Sequence, residues 1–509
     1  MKLIYKILLL IPLVYIGFGC TDLEEELRSD LTEEEEVKNR GFGISENSNT
    51  PVPNDGLGDA YSRLLVGTAN HGSYFSVSEI STDEVVITQK GGDWFDGGIW
   101  LNMHRHNFLS TNDGLNGAWV DNYSGVVQCN TLLQGSLDAG QVASVRALRA
   151  YFFWRLMDLF GNIKLSTVPG ADVPQSTRQE AFDFIESELL AAIPDLPSAK
   201  IYARMNQSAA YALLARLYLN AEVYTGTARW QDCIDATDEV INSGLYELDP
   251  NYAAVFAPDN DGNMEHILVA PFDQSTGTGM NLAQMTLHYP SQLTYRLQQQ
   301  PWNGYSTLEE FYNSYDDTDV RKEANFIVGP QFDVDGNPVL DVAFDPADDD
   351  GAPVNYTPFI NELAPNGSRQ AGARLGKFSF KLLQTPEMDN DYTLLRYADV
   401  LLMKAEALCR STGNWNNGDA IVLVNQVRSR AGLADYTNMT EESFLAERGR
   451  EMFQESMRRT DLIRFGRWGD SWWEKDAHSD DFKNIMPIPQ PQILASQAED
   501  NPLVQNPGY

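Results

Sequence analysis

The stretch that decides the fold runs from Asp391 to Trp468. It opens D-Y-T-L-L-R-Y-A-D-V-L-L-M-K-A-E-A-L (391–408), continues A-I-V-L-V-N-Q-V-R-S-R-A-G-L (420–433) and ends E-R-G-R-E-M-F-Q-E-S-M-R-R-T-D-L-I-R-F-G-R-W (447–468). Leu394, Ala398, Leu401, Leu402, Ala405 and Leu408 recur at helical spacing and make one apolar face. Gly413, Asn414, Asn416, Asn417 and Gly418 are turn formers that break that helix. Ile421, Val424 and Val427 carry a second helix, and Gly432 stands at a plausible C′ position. The span 396–431 therefore predicts a helix hairpin of about the 34-residue size of a tetratricopeptide repeat. A third helix sets Glu447, Glu451 and Glu455 at i, i+4 and i+8. Like charges at that spacing repel on an isolated helix, so cationic partners are implied. Arg396, Arg428, Arg448 and Arg464 are at hand, and the glutamates read as structural ion pairs rather than as a glycosidase carboxylate pair.

Outward from this stretch, the same pattern returns upstream. Asn206–Tyr224 and Trp230–Ser243, closed by Gly244, form a second hairpin of similar size, the self-similarity expected of a helical repeat array. Before it, the periodicity predicts helices over Trp119–Leu137, Gln141–Phe160 and Pro174–Leu196, the last with Ser176 as N-cap and Glu180 near its first turn. The run Tyr151, Phe152, Phe153, Trp154 goes most of the way round its helix and implies burial on several sides. Gly56–Gly67 is a short helix candidate, and Ser76–Thr88 reads as mostly extended. From 244 to 390 the helical period fades and Gly, Pro, Asn and Asp become frequent. Short strands are expected at Glu265–Val269 and Lys377–Lys381, with a short helix at Leu308–Tyr315.

The N-terminus carries Lys2 and Lys6, then the apolar run Ile7–Phe18, then Gly19-Cys20. That run is shorter than the roughly 20 residues a membrane-spanning helix needs. It reads as a secretory signal peptide (1–19), with Cys20 as the first mature residue and a site of lipidation. An acidic tether (20–45) follows, then a globular region (46–509). The chain has 43% hydrophobic residues and a net charge of −35, which disfavours nucleic acid and anionic membrane surfaces, since both need clustered Lys and Arg. Without Cys20 the cysteines are Cys129, Cys233 and Cys409, too scattered for a disulfide framework or a metal site, and they read as buried small hydrophobes. His104 and His106 would share a face on a strand, but no further ligand lies near them in sequence.

Two loops are candidates for binding. The first is G-G-D-W-F-D-G-G-I-W (91–100). An exposed aromatic in a glycine-rich loop is costly unless it meets something. Trp94 and Phe95 suit the C–H face of a pyranose, and Asp93 and Asp96 suit its hydroxyls. Trp100 reads as a strand entry packed in the core. Asp83 and Glu84 upstream are further hydroxyl acceptors. The second holds Tyr289 and the run P-W-N-G-Y (301–305), with Trp302 and Tyr305 as an aromatic wall. Arg374 would donate to sugar oxygens. Asp259-x-Asp261-x-Asn263-x-Glu265 and Asp333-x-Asp335-Gly336-Asn337 are each a fragment of a calcium loop. Neither has the full ligand set, and turn chemistry accounts for both. No cofactor is implied otherwise, and no catalytic motif appears.

The run L-R-Y-A-D-V-L-L-M-K-A-E-A, the E-R-x-R-E helix, D-L-I-R-F-G, the closing P-I-P and Q-N-P-G-Y, and V-R-A-L-R-A-Y-F-F-W-R-L-M-D-L-F-G-N-I (145–163) resemble the SusD/RagB family of outer-membrane lipoproteins. The resemblance implies a mainly α fold: a tetratricopeptide-like scaffold from 46–243 and 391–509, capped by an irregular ligand-binding insertion at 244–390. It implies a non-enzymatic, lipid-anchored protein on the cell surface. Such a protein captures an oligosaccharide or polysaccharide and passes it to a SusC-like TonB-dependent transporter. It also strengthens Trp94 as a stacking residue. The alternatives are a peptide-binding RagB-type lipoprotein with the same lid role, a secreted glycoside hydrolase and a plain assembly scaffold.

Overall fold

The computed structural model describes residues 50–342 and 351–509, so the expected signal peptide, Cys20 and the tether lie outside the described residues. In chain order, α1 is Tyr74–Ile80, β1 Val85–Ile87, α2 Ile99–His104, α3 Asp113–Leu133, α4 Ala139–Phe160, α5 Arg178–Ala192, α6 Gln207–Leu219 and α7 Trp230–Asn242. β2 is His266–Ala270 and β3 Tyr305–Thr307. After these come β4 Tyr392–Arg396, α8 Tyr397–Thr412, α9 Gly418–Arg430, α10 Glu441–Met452 and α11 Arg458–Arg464.

Helices α4 and α5 start where side chains replace missing backbone partners. Asp138 and Gln141 form a capping box on α4, and Thr177 and Glu180 form one on α5, so the cap is Thr177 rather than Ser176. Successive helices then pack as neighbours: α3 on α4, α4 on α5, α6 on α7, α7 on α8 and α8 on α9. The two halves of the helical array thus meet at α7 and α8, and the array continues in space although about 150 residues separate the two helices in sequence. Helices α3 and α4 approach closely at Gly125, where a Cβ would stand 2.5 Å from the Phe152 ring. On α4, Tyr151 to Trp154 are all buried, as the aromatic run implied.

The insertion is tied to this array by an antiparallel pair, β2 with β4, in which Tyr392 faces Ala270 and Arg396 faces His266. Leu394, expected on the helical face, lies on this strand. All described residues fall in one compact unit. Three further local expectations are corrected. Ser76–Thr88 is helix α1 followed by the short β1, because every residue of α1 is buried and no periodicity survives to mark it. Ile99–Leu101 opens helix α2, with Trp100 buried. Lys377–Lys381 pairs with no strand, although Phe378 and Phe380 are buried.

The glutamate series is an ion-pair network. Glu447 meets Arg321, Arg428 and Arg450 at 2.7–2.8 Å. Glu451 meets Arg321 at 3.0 Å and Arg396 at 2.7 Å, and it also pairs with Arg430. Helix α10 stops at Met452, so Glu455 leaves the helical row and reaches Arg396 and Lys377 instead. Arg448 and Arg464, expected among the partners of this series, serve Asp399, Asp461 and Glu406.

Candidate functional site

Strand β1 pairs antiparallel with β3, with Val85 opposite Thr307 and Ile87 opposite Tyr305. This ladder carries the glycine-rich loop after β1 onto the loop before β3. The second loop is anchored in turn, since the N–H groups of Trp302, Asn303 and Gly304 donate to the carbonyls of Gln284, Leu287 and Met285 at 2.7–2.9 Å. Trp94 crosses between the loops. Its Nε1 donates to the Trp302 carbonyl at 2.6 Å, and its ring lies flat on Gly304, where a Cβ would stand 2.4 Å from it. Trp94 has a φ of +58°, unfavourable for a bulky side chain. The hydrogen bond and the packing hold it there.

Between the loops lies an open groove of about 490 Å³, lined by His71, Asp93, Trp94, Asp96, Tyr289, Gln300, Pro301 and Trp302. Trp302 is the exposed aromatic of this lining, 36% accessible against 8% for Trp94. The Trp94 and Trp302 indoles flank His71, whose ring centroid lies 5.1 and 6.4 Å from theirs. Phe95 is exposed but does not line the groove.

The polar groups have defined roles. Asp93 accepts from the Trp94 N–H at 3.1 Å and from the Tyr289 hydroxyl, and burial pushes its carboxyl above the usual range. Asp96 accepts from Trp100 Nε1 at 2.9 Å. His71 Nδ1 lies 2.8 Å from the Tyr305 hydroxyl, which lies 2.6 Å from Ser76 Oγ, and Ser76 Oγ accepts from the Gly72 N–H at 2.9 Å. Giving every proton in this chain an acceptor runs it from Ser76 to Tyr305 to His71 Nδ1. The proton of His71 is then on Nε2, a donor towards the groove. Burial lowers the His71 pKa to about 4, so the ring is neutral at pH 7.

The structure thus gathers Asp93, Trp94, Asp96, Tyr289 and Trp302 and separates the other candidates. Tyr305 is fully buried and lies behind the groove, hydrogen-bonded to His71. Arg374 is fully buried over the Tyr356 ring and donates to the Arg369 carbonyl at 2.6 Å, so it cannot reach a ligand. Asp83 lies elsewhere, held by two 2.7 Å bonds from Arg458 at a separate cavity of about 300 Å³. Glu84 is buried. His71 and Gln300 carried no sequence motif. Asp333 accepts from the N–H groups of Asp335 and Asn337, the turn chemistry expected there, and Glu265 is committed to Arg396 and Arg430. Among the described residues no group of three His, Cys, Asp or Glu side chains is placed to hold a metal ion. His104 and His106 are buried against the Trp473 carbonyl and against Ser81 and Ser479, respectively. Cys129, Cys233 and Cys409 are buried thiols.

Fold and groove together define a tetratricopeptide-like helical scaffold that carries an irregular cap and an open, aromatic-walled groove. The chain belongs to the SusD/RagB family. Residues 264–509 match the model of the SusD family, and residues 66–219 match one described as starch-binding associating with outer membrane. The starch-binding protein SusD of Bacteroides thetaiotaomicron is 26% identical over 443 residues, covering 77% of this chain and 75% of that one. A SusD-like protein of Bacteroides ovatus is 24% identical over 380 residues, covering 70% of this chain and 66% of that one. In fold, the chain matches surface glycan-binding protein A of B. thetaiotaomicron, solved with laminarihexaose, with a TM-score of 0.70 at 23% identity, covering 88% of this chain and 97% of that one. A laminarin-binding SusD-like protein also matches with a TM-score of 0.70, at 24% identity, covering 89% of this chain and 98% of that one. Among the described residues no helix is long and apolar enough to cross a membrane.

Proposed function

We propose that this protein captures an oligosaccharide or polysaccharide in the groove between the 91–98 and 300–304 loops and hands it to a SusC-like TonB-dependent transporter. It would do so from the outer face of the outer membrane, anchored through a lipid on Cys20, and without catalysis of its own. One observation carries the reading. Trp302 presents an accessible indole beside the Trp94 edge, with carboxylates and a neutral imidazole N–H within the same groove. That is the chemistry a pyranose asks for, an apolar C–H face and a rim of hydroxyls. The names of the relatives, starch-binding and laminarin-binding, support the ligand class. Affinity electrophoresis of the purified protein through gels containing single soluble polysaccharides tests it. Retardation by at least one glycan, lost in Trp302→Ala, is the expected result. No retardation by any glycan would move peptide capture to the front.

A further inference from the structure

Among the described residues, the lining of the groove contains two carboxylates, Asp93 and Asp96, and neither lysine nor arginine. Two cations lie behind its loops, and both are turned away. Lys90 is buried, with its ammonium on the carbonyl oxygens of Thr88 and Gly304 at 3.1 and 3.4 Å. Burial also holds that ammonium well below its ordinary pKa. Arg374 is sealed beneath Tyr356. The imidazole of His71 supplies one neutral donor.

We propose that the groove selects uncharged glycans and rejects those carrying carboxylate or sulfate on the sugar that stacks on Trp302, with Asp96 as the residue that sets this selectivity. The inference rests on the glycan-binding reading above. A sugar hydroxyl placed at either aspartate donates a charge-assisted hydrogen bond. An anionic substituent in the same place brings like charge to within a few ångströms in a partly dry site, and among the described residues no lysine or arginine lines the groove to offset it. Asp96 is the stronger discriminator. Asp93 already accepts from the Trp94 N–H and the Tyr289 hydroxyl, whereas Asp96 has one oxygen on Trp100 and is exposed. The net charge of −35 adds a long-range repulsion in the same sense, which salt screens.

The test is isothermal titration of the purified protein with matched derivatives of one glycan backbone: hydroxyethyl and carboxymethyl cellulose, and hydroxyethyl and carboxymethyl pullulan. Laminarin and sulfated laminarin make a third pair. Hydroxyethyl and carboxymethyl ethers block the same hydroxyls, so they differ chiefly in charge. The expected result is that a neutral member binds and its anionic counterpart binds about tenfold more weakly or worse. In Asp96→Asn that ratio should narrow to about threefold or less, because half of the local negative charge is gone. The variant suits the site, since asparagine tolerates the φ of +43° at this position and its carbonyl still accepts from Trp100. Equal or tighter binding of the anionic member, or an unchanged ratio in Asp96→Asn, overturns the selectivity while leaving glycan capture standing. Binding of neither member of any pair, nor of any other soluble glycan, overturns both.

Discussion

The indole nitrogen of Trp94 donates to the backbone carbonyl of Trp302, 208 residues further along the chain, at 2.6 Å. One tryptophan therefore holds the other in place. Trp94 is spent on structure: it is buried and lies flat on Gly304. Trp302 keeps the accessible face.

The two tryptophans should accordingly fail in different ways when each is cut back to alanine. Trp302→Ala removes the stacking surface from a partly exposed position, so the melting temperature should hardly move while glycan affinity falls by more than about tenfold. Trp94→Ala empties a packed site and releases the 300–304 loop, and should destabilise by about 3–5 kcal/mol as well as abolish binding. Thermal denaturation and affinity electrophoresis on both variants separate the outcomes. A Trp94→Ala protein of unchanged stability would show that the loop stands without it.

Tyr305 has no surface to offer a ligand, yet its hydroxyl should matter to binding. Tyr305→Phe keeps the ring against Phe75 and Trp94 but takes away the proton that holds His71 Nδ1 as an acceptor. Stability should fall by about 1–2 kcal/mol for the lost buried hydrogen bonds. Glycan affinity should drop about three- to tenfold as the Nε2–H tautomer loses its bias. Nitrogen chemical shifts of the His71 imidazole report the tautomer directly. Unchanged shifts together with unchanged affinity would exclude the relay.

The array and the hairpins were readable because they are periodic and closed by glycine: Leu401, Leu402 and Ala405 repeat on one face, and Gly244 and Gly432 take the positive φ expected of helix ends. Helix α1 was not readable, because Tyr74 to Ile80 are buried all round and leave no polar side to set a period. Lys377–Lys381 alternates like a strand, but its lysine at 377 is drawn inwards to Glu455 rather than outwards to water. Asp93, Trp94, Asp96 and Trp302 were legible as chemistry. Their meeting was not, because it depends on a ladder between Val85–Ile87 and Tyr305–Thr307 that local pattern cannot foretell. The same ladder buries Tyr305, and nothing local marks His71 as its partner.

Glu451 binds three buried guanidinium groups, those of Arg321, Arg396 and Arg430, which hold its carboxyl well below the usual range against the opposing effect of burial. Glu451→Gln leaves these cations short of an anion and should cost about 3–5 kcal/mol. Because the folded pKa is depressed, this contribution is complete above the unfolded value near 4.5 and is lost as pH falls below it. The stability gap between the two proteins should therefore be flat from pH 8 to 5 and should close in more acidic solution. Urea denaturation across that range measures it. A gap that widens on acidification would contradict the assignment of Glu451 as a permanent anion.

Glu84 should behave in the opposite way. Both of its carboxyl oxygens are buried without a hydrogen bond, and Arg458 Nε, 3.7 Å away, is already engaged by Asp83 at 2.7 Å. Burial, with Glu79 and Asp83 close by, raises the carboxyl well above its ordinary value, so the folded state holds a neutral acid. As pH rises past about 4.5, the unfolded chain releases this proton and the folded chain does not, so wild-type stability is lost with increasing pH. Glu84→Gln keeps the shape and has no proton to lose. Its advantage over the wild type should already be present at pH 5 and should grow by about 1 kcal/mol or more by pH 8. Paired urea titrations at the two pH values measure the difference. If Glu84 were instead ionised and paired with Arg458, the glutamine variant would be the less stable protein at pH 8, and the neutral assignment would fall.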